Sequence, residues 1–362
     1  MKRFHLLLLI LIGLQISLPQ VWAGGISFGM SGAVRKKIDQ LDEKVKAEED
    51  KAAPAVIRSP LLGKYEPDDG KVLLIIGQDK AAHDQYIADI STPGGLMFYT
   101  SVQHLEGILV SVPAVSGTWD FPVSFSAYPD MAIQVGLWMS GTTGSENDLD
   151  RIDNGVYDAN LDALGNWLRN LARPVFLRVG YEFDNPTFNY NAEKYVRAYR
   201  HVVDHLRAQG ITNVAYVWHS WAQNNSTAAI SWYPGDSYVD WIGVSFFLTE
   251  MGPYMDHIAA LAVEHNKPLM IAEATPYGIG TLSGQTSWDN WFRLFFDFIA
   301  ANDVKAISYI NWDWETIPQF AGQGWGNGRI QNNVTVKGNW ISETSQSKYL
   351  QSSTTLYSDL GY

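Results

Sequence analysis

Short apolar runs recur along the chain: Val72 to Gly77, a second between Leu96 and Val112, Ala132 to Trp138, Val175 to Gly180, Val214 to Trp218, Trp241 to Phe246, Leu269 to Ala272 and Ala306 to Ile310. They are rich in Val, Ile and aromatic residues and bounded by turn formers, the pattern of strands buried on both faces. The second run is double, with Leu96 to Thr100 and Gly107 to Val112 competing for one strand. Between most runs the apolar period lengthens to that of an amphipathic helix. One helix is predicted over Asp158 to Leu171, with Asp158 as its cap and Leu161, Leu164, Leu168 and Leu171 on one face. The next, Ala192 to Gln209, turns Tyr195, Tyr199, Val202, Val203 and Leu206 inward and ends at Gly210. A third starts from Ser287 as cap and carries Trp291, Phe292, Phe295 and Ile299.

Buried strands alternating with helices predict an α/β fold with a parallel sheet, and eight of them predict a single (β/α)8 TIM barrel over residues 61–362. An open doubly wound sheet is the alternative, but no GxGxxG or GxxxxGK loop follows any strand. Residues 24–60 read as a polar spacer, in which Val34, Ile38, Leu41 and Val45 make a thin helix-spaced stripe. Residues 1–23 have the three parts of a signal peptide: Lys2 and Arg3, the apolar run Leu6 to Ile16, and a cleavage region ending at Ala23. The expectation is export to the periplasm or the medium, without stable membrane insertion, since the apolar run is too short to span a bilayer comfortably.

Composition narrows the partners. A net charge of -12 repels nucleic acid and anionic membranes, and the absence of Cys excludes disulfides, thiolate metal sites and a cysteine nucleophile. Aromatic residues make up 13% of the chain, with 14 Trp, more than packing alone asks for. In an acidic protein that excess points to flat, partly apolar partners such as sugar rings. The expected partner is a polysaccharide or oligosaccharide, bound by a monomer that needs no cofactor and no metal.

In a barrel of this kind the residues just beyond the strands converge on one cavity. Here they are Gln78 and Asp79, Trp138, Tyr181 to Asn185 with Asp184 among them, Trp218, His219 and Trp221, Phe247, Glu273, and Asn311 to Trp314 with Trp312. Glu182 and Glu273, each closing an apolar strand, are the raw material for acid/base work on a glycosidic bond. The structural alternatives are an ion pair of Glu182 with Arg178, a capping role for Glu273, and a hydrogen-bonded His219 that holds no metal. Asp79 and Asp313 as a metal pair rank below sugar-hydroxyl binding. Tyr181 and Phe183 are expected to flank Glu182 with low-polarity rings and raise its pKa. Which glutamate Arg178 faces is open at this level.

These residues resemble those of clan A retaining glycoside hydrolases, closest to glycoside hydrolase family 26, which groups β-mannanases, β-1,3-xylanases and related endo-β-glycanases. The family's acid/base follows an Arg-Pro-x-His-Glu pattern; Arg178 and Glu182 match its ends, whereas Val179 and Tyr181 replace Pro and His. Asp240-Trp241-Ile242-Gly243-Val244 looks like the strand-six signature, and Phe246 and Phe247 stand where a Tyr is expected. The resemblance implies Glu182 as acid/base, Glu273 as nucleophile and Trp312 as the floor of the cleavage subsite. It implies a secreted endo-β-glycosidase acting by double displacement. The alternative is a secreted polysaccharide-binding barrel that kept the aromatic cleft and lost turnover.

Overall fold

The computed structural model describes residues 63–110, 125–140, 147–222 and 226–362. The signal region, the helix-spaced stripe from Val34 to Val45 and the end of the Gly107 to Val112 run lie outside them. Eight parallel strands run in chain order around a closed barrel: β1 Val72–Gly77, β2 Gly95–Ser101, β3 Ala132–Trp138, β4 Val175–Val179, β5 Val214–Ser220, β6 Trp241–Phe246, β7 Leu269–Ala274 and β8 Val304–Ile310. β1 closes the ring by pairing with β8 from Leu73↔Ala306 to Gly77↔Ile310 and with β2 at Ile75↔Gly95 and Ile76↔Leu96. The competition in the second run resolves toward its first half, since Gly107 to Val110 form a turn.

Strand periodicity sorts side chains between two packed layers. Leu73, Ile75, Met97, Phe176, Val217, Trp241, Met270 and Ala306 fill the barrel, while Leu74, Ile76, Phe98, Val135, Leu177, Val214, Ile242 and Ile271 pack outward under the helices. Both faces are dry, which is why the strands read as continuous apolar runs. Gln134 is a polar residue inside the barrel, and it is satisfied: its amide donates to the Ala272 carbonyl at 2.7 Å and it accepts from Ser308 Oγ at 2.6 Å.

The outer layer holds α1 Lys80–Asp89, α2 Asn147–Asp153, α3 Asp158–Leu171, α4 Ala192–Ala208, α5 Gly252–Glu264, α6 Arg293–Ala301, α7 Val334–Thr344 and the short α8 Leu356–Asp359. Leu161, Leu164 and Leu168 of α3 are buried, each contributing roughly 1.5 to 3 kcal/mol of hydrophobic stabilisation. Two predicted caps are corrected. Tyr157 occupies the cap position of α3 and Asp158 is its first helical residue, free to pair with a neighbouring helix. Ser287 lies inside a helical turn that runs through a π turn, Trp288–Phe292, into α6. The extra residue of the π turn accompanies the burial of Trp291, whose indole donates to the Phe247 carbonyl at 2.8 Å and so anchors the end of β6.

A ninth strand, β9 Tyr349–Leu350, pairs with β1 at Val72 and Leu73, before β2 has begun. The approach is close: a Cβ on Gly94 would sit 2.6 Å from the Leu350 carbonyl oxygen, so only glycine fits. Among the described residues no helix is long and apolar enough to cross a membrane.

Candidate active site

β4 ends at Val179, and the next residues turn sharply. Gly180 (φ +56°) has Met139 and Tyr195 where a Cβ would go, 2.5 and 2.7 Å away. Glu182 then takes φ +50°, a left-handed conformation costing an L-residue roughly 1 to 2 kcal/mol. The turn is held by Phe183 N donating to the His219 carbonyl at 3.2 Å and by Asn185 N donating to the Glu182 carbonyl at 2.8 Å. Strain of this kind, fixed by its surroundings, is typical of functional positions.

Glu273 arrives by a different device. Met270 and Ala272 point into the barrel, so strict alternation would aim Glu273 outward. The register between β7 and β8 shifts between Ile271 and Ala274, and that between β6 and β7 shifts at Val244/Ser245. These irregularities turn Glu273 toward the cavity, opposite Ser245.

The two carboxylates meet at the barrel mouth: one oxygen of Glu182, one of Glu273 and a ring nitrogen of His219 lie within 4.8 Å of one another. Their surroundings differ. Glu273 is ion-paired with Arg178, which is fully buried between the rings of Tyr99 (4.9 Å) and Tyr181 (5.1 Å). Gly136 leaves space for that guanidinium, since a Cβ there would lie 2.9 Å from Nη2. Glu182 instead accepts from Ser245 Oγ at 2.6 Å and from Asn185 Nδ2 at 3.0 Å. Burial, then the charge of Glu273, push the Glu182 pKa up to about 8, against the pull of those two hydrogen bonds.

A directed chain of hydrogen bonds joins the pair. Arg178 Nη1 donates to His219 Nδ1 at 3.3 Å, which leaves the proton on Nε2; that nitrogen donates to Ser245 Oγ at 3.0 Å, and Ser245 donates to Glu182. Burial and then the Arg178 cation hold the His219 pKa well below the usual imidazole range, so the ring stays neutral. The ion-pair alternative for Glu182 is thereby corrected: Arg178 serves Glu273.

Above the carboxylates opens a cleft of about 880 Å³. Gln78, Trp138, Tyr181, Asn185, Trp221, Phe247 and Trp314 of the predicted set line it. One wall packs Tyr99, Tyr181, Phe188 and Trp138 in edge-on and tilted contacts; the other is built from Trp314 stacked on Trp325 at 4.5 Å, with Tyr277 and Phe320 against them.

Other predicted substrate contacts are buried beneath the cleft. Trp218 stacks on Phe183 at 4.5 Å in the outer core, and its indole donates to the Trp232 carbonyl. Phe183 therefore packs away from Glu182. Both oxygens of Asp79 are taken, one capping α1 through Ala82 N at 2.7 Å and the other accepting from Trp312 Nε1 at 2.5 Å. Trp312 is 1% exposed, so it supports Trp314 from below and offers no face of its own. Asp184 accepts from Ser220 Oγ and Trp221 N, both at 2.6 Å, bracing the end of β5. Arg178 and His219 are buried positioning groups. Asp313 accepts from Asn327 Nδ2 and shares no cation site with Asp79 among the described residues.

Sequence reasoning missed Ser245, Tyr99, Phe188, Tyr277, Phe320 and Trp325. Ser245 had a signal, as the one polar residue in the run from Trp241 to Phe247. Trp325 had another, an indole in the glycine-rich loop Gly322 to Gly328.

A TIM barrel with paired glutamates beneath an aromatic cleft defines a glycoside hydrolase. Residues 110–314 match the family model described as Glycosyl hydrolase family 26. Over 329 residues the chain is 32% identical to the Beta-1,3-xylanase TXYA of a Vibrio species, covering 83% of this chain and 70% of that protein. It is 31% identical to the Beta-1,3-xylanase of an Alcaligenes species, covering 83% and 69%. Among solved structures, the GH26 beta-mannanase BoMan26A from Bacteroides ovatus shares the fold at a TM-score of 0.59 and 16% identity, covering 80% of this chain and 93% of that one. The chain belongs to glycosyl hydrolase family 26, and it is an endo-glycosidase acting on β-linked polysaccharides.

Proposed function

We propose that this chain is an exported, monomeric endo-β-1,3-xylanase that cleaves with retention of configuration. The observation that carries the mechanism is the pair of carboxylates within 4.8 Å, one buried with its pKa raised to about 8 and the other against a guanidinium. Carboxylate oxygens that close favour the roughly 5 to 5.5 Å carboxyl separation of retaining enzymes over the roughly 6.5 to 9.5 Å that would admit a water between sugar and base. The substrate rests on the two relatives named above, each a β-1,3-xylanase matching over most of its length. Export rests on the signal-like segment ending at Ala23.

In the first step Glu273 attacks the anomeric carbon while protonated Glu182 gives its proton to the departing glycosidic oxygen. Esterification then removes the negative charge of Glu273, one of the two causes that hold the Glu182 pKa up. Glu182 thus becomes a better base at the moment it must take a proton from the incoming water. The aromatic walls supply stacking faces that align the chain across the carboxylates.

The test is reducing-end release by the purified protein from linear β-1,3-xylan, β-1,4-xylan, β-1,4-mannan and mixed β-glucan, with Glu273→Gln as control. Turnover confined to β-1,3-xylan, with the β-anomer formed first by NMR, is the expected result. Preferred cleavage of mannan would overturn the substrate, and the α-anomer formed first would overturn retention.

A further inference from the structure

α3 and α4 lie side by side and bring two matched pairs into register: Asp158 and Asp162 one turn apart on α3, His201 and His205 one turn apart on α4. His201 Nε2 is 2.7 Å from Asp158 Oδ1, and His205 Nδ1 is 3.6 Å from the same oxygen. The outer nitrogen of His205, Nε2, is 2.9 Å from Asp162 Oδ1. The carboxylate has a built seat: Gly155 (φ +75°) lacks the Cβ that would stand 2.8 Å from Asp158 Oδ2.

We propose that Asp158, His201 and His205 bind a late first-row divalent cation of the Zn2+ type. The convergence of the side chains carries the argument. With Nε2 engaged by Asp162 Oδ1 at 2.9 Å, the His205 ring turns Nδ1 toward the Asp158 oxygen that also meets His201 Nε2, so three ligand atoms from two helices converge within 4.8 Å of one another. A carboxylate behind a metal-binding imidazole is the usual partner that fixes such a ring. Two imidazoles and one carboxylate suit zinc and its neighbours, with ligand bonds of about 2.0 to 2.2 Å reached by opening the His201–Asp158 contact by roughly half an ångström. All three groups are partly exposed, which leaves the fourth position to water. His205 also stands in the last turn of α4, where the helix dipole favours positive charge. Glu182, His219 and Glu273 meet the same distance criterion, but there Arg178 already supplies the cation and both ring nitrogens of His219 are engaged.

The test uses the full chain, stripped with a chelator and carrying no histidine tag. Calorimetry with Zn2+ should give one ion per chain, Co2+ should develop visible bands of a low-coordinate site, and Zn2+ should raise the melting temperature. His201→Gln and His205→Gln, which keep a hydrogen-bonding side chain, should each weaken binding at least tenfold. Asp162→Asn should weaken it about 10- to 100-fold. Glu182→Gln should leave it unchanged. No saturable binding up to about 1 mM Zn2+, or binding insensitive to both histidine variants, overturns the proposal.

Discussion

Ser245→Ala tests how the two glutamates are held apart in protonation. Ser245 Oγ donates to Glu182 at 2.6 Å in a buried site, and such a bond favours the anionic carboxylate. Its loss removes a charge-assisted hydrogen bond of about 1.5 to 3 kcal/mol. At 1.36 kcal/mol per pKa unit, the ionisation of Glu182 moves up by roughly one to two units. The sign is fixed, since a donor to the anion is lost and the pKa can only rise. The assay is kcat/KM against pH on a soluble xylo-oligosaccharide. Its alkaline limb, which the proposed mechanism assigns to Glu182 in the free enzyme, should move upward by at least about one unit. Glu182 then serves as a poor base in the second step at neutral pH, so an aryl glycoside with a good leaving group should show a pre-steady-state burst absent from the parent enzyme. An unmoved or acid-shifted limb, in a variant with a native melt, refutes the reasoning.

Because folding raises the Glu182 pKa above the ordinary 4.5, the unfolded chain releases that proton first; stability from this group is full below about pH 4.5 and falls until about pH 8. Glu182→Gln should flatten that fall, by on the order of a few kcal/mol at pH 8, and a denaturation profile parallel to the parent's would contradict it. Azide should rescue Glu182→Ala with a β-glycosyl azide as product; an α-azide would exchange the roles of the two glutamates. Trp325→Ala should weaken oligosaccharide binding by about 1 to 3 kcal/mol with little change in melting, whereas Trp312→Ala should cost about 3 to 5 kcal/mol of stability. Isothermal titration and thermal melts of both variants separate platform from support.

The strands were legible because both faces of each are dry, and burial writes itself into the sequence as an apolar run. What faced the cleft was less legible, because reach beyond a strand end does not fix direction. Trp218 follows Val217, an interior residue, so alternation already pointed its indole outward, toward Phe183. Glu273 is the opposite case, since alternation points it the wrong way and only the register shift in β7 corrects it. Arg178 faces the interior on parity, but its choice of Glu273 over Glu182 depends on the left-handed turn at Glu182, which no local pattern announces. Asp79 carried a helix-cap signal three residues before Ala82, and capping took precedence over substrate.

The short strand β9 has a consequence for the order of events in folding. Nearly the whole described chain separates Val72 from Tyr349, yet the two are paired across neighbouring strands at the foot of the barrel, where Val72 N donates to the Lys348 carbonyl at 2.8 Å. Contacts of such wide sequence separation carry a large loop-closure entropy and form late. A chain emerging from its amino end can assemble strand upon strand, but the lower edge of the first stays uncovered until Tyr349 and Leu350 are free. The foot of the barrel is therefore closed by β9, and a chain cut just before Tyr349 should leave an enzyme with its mouth intact and its seam open.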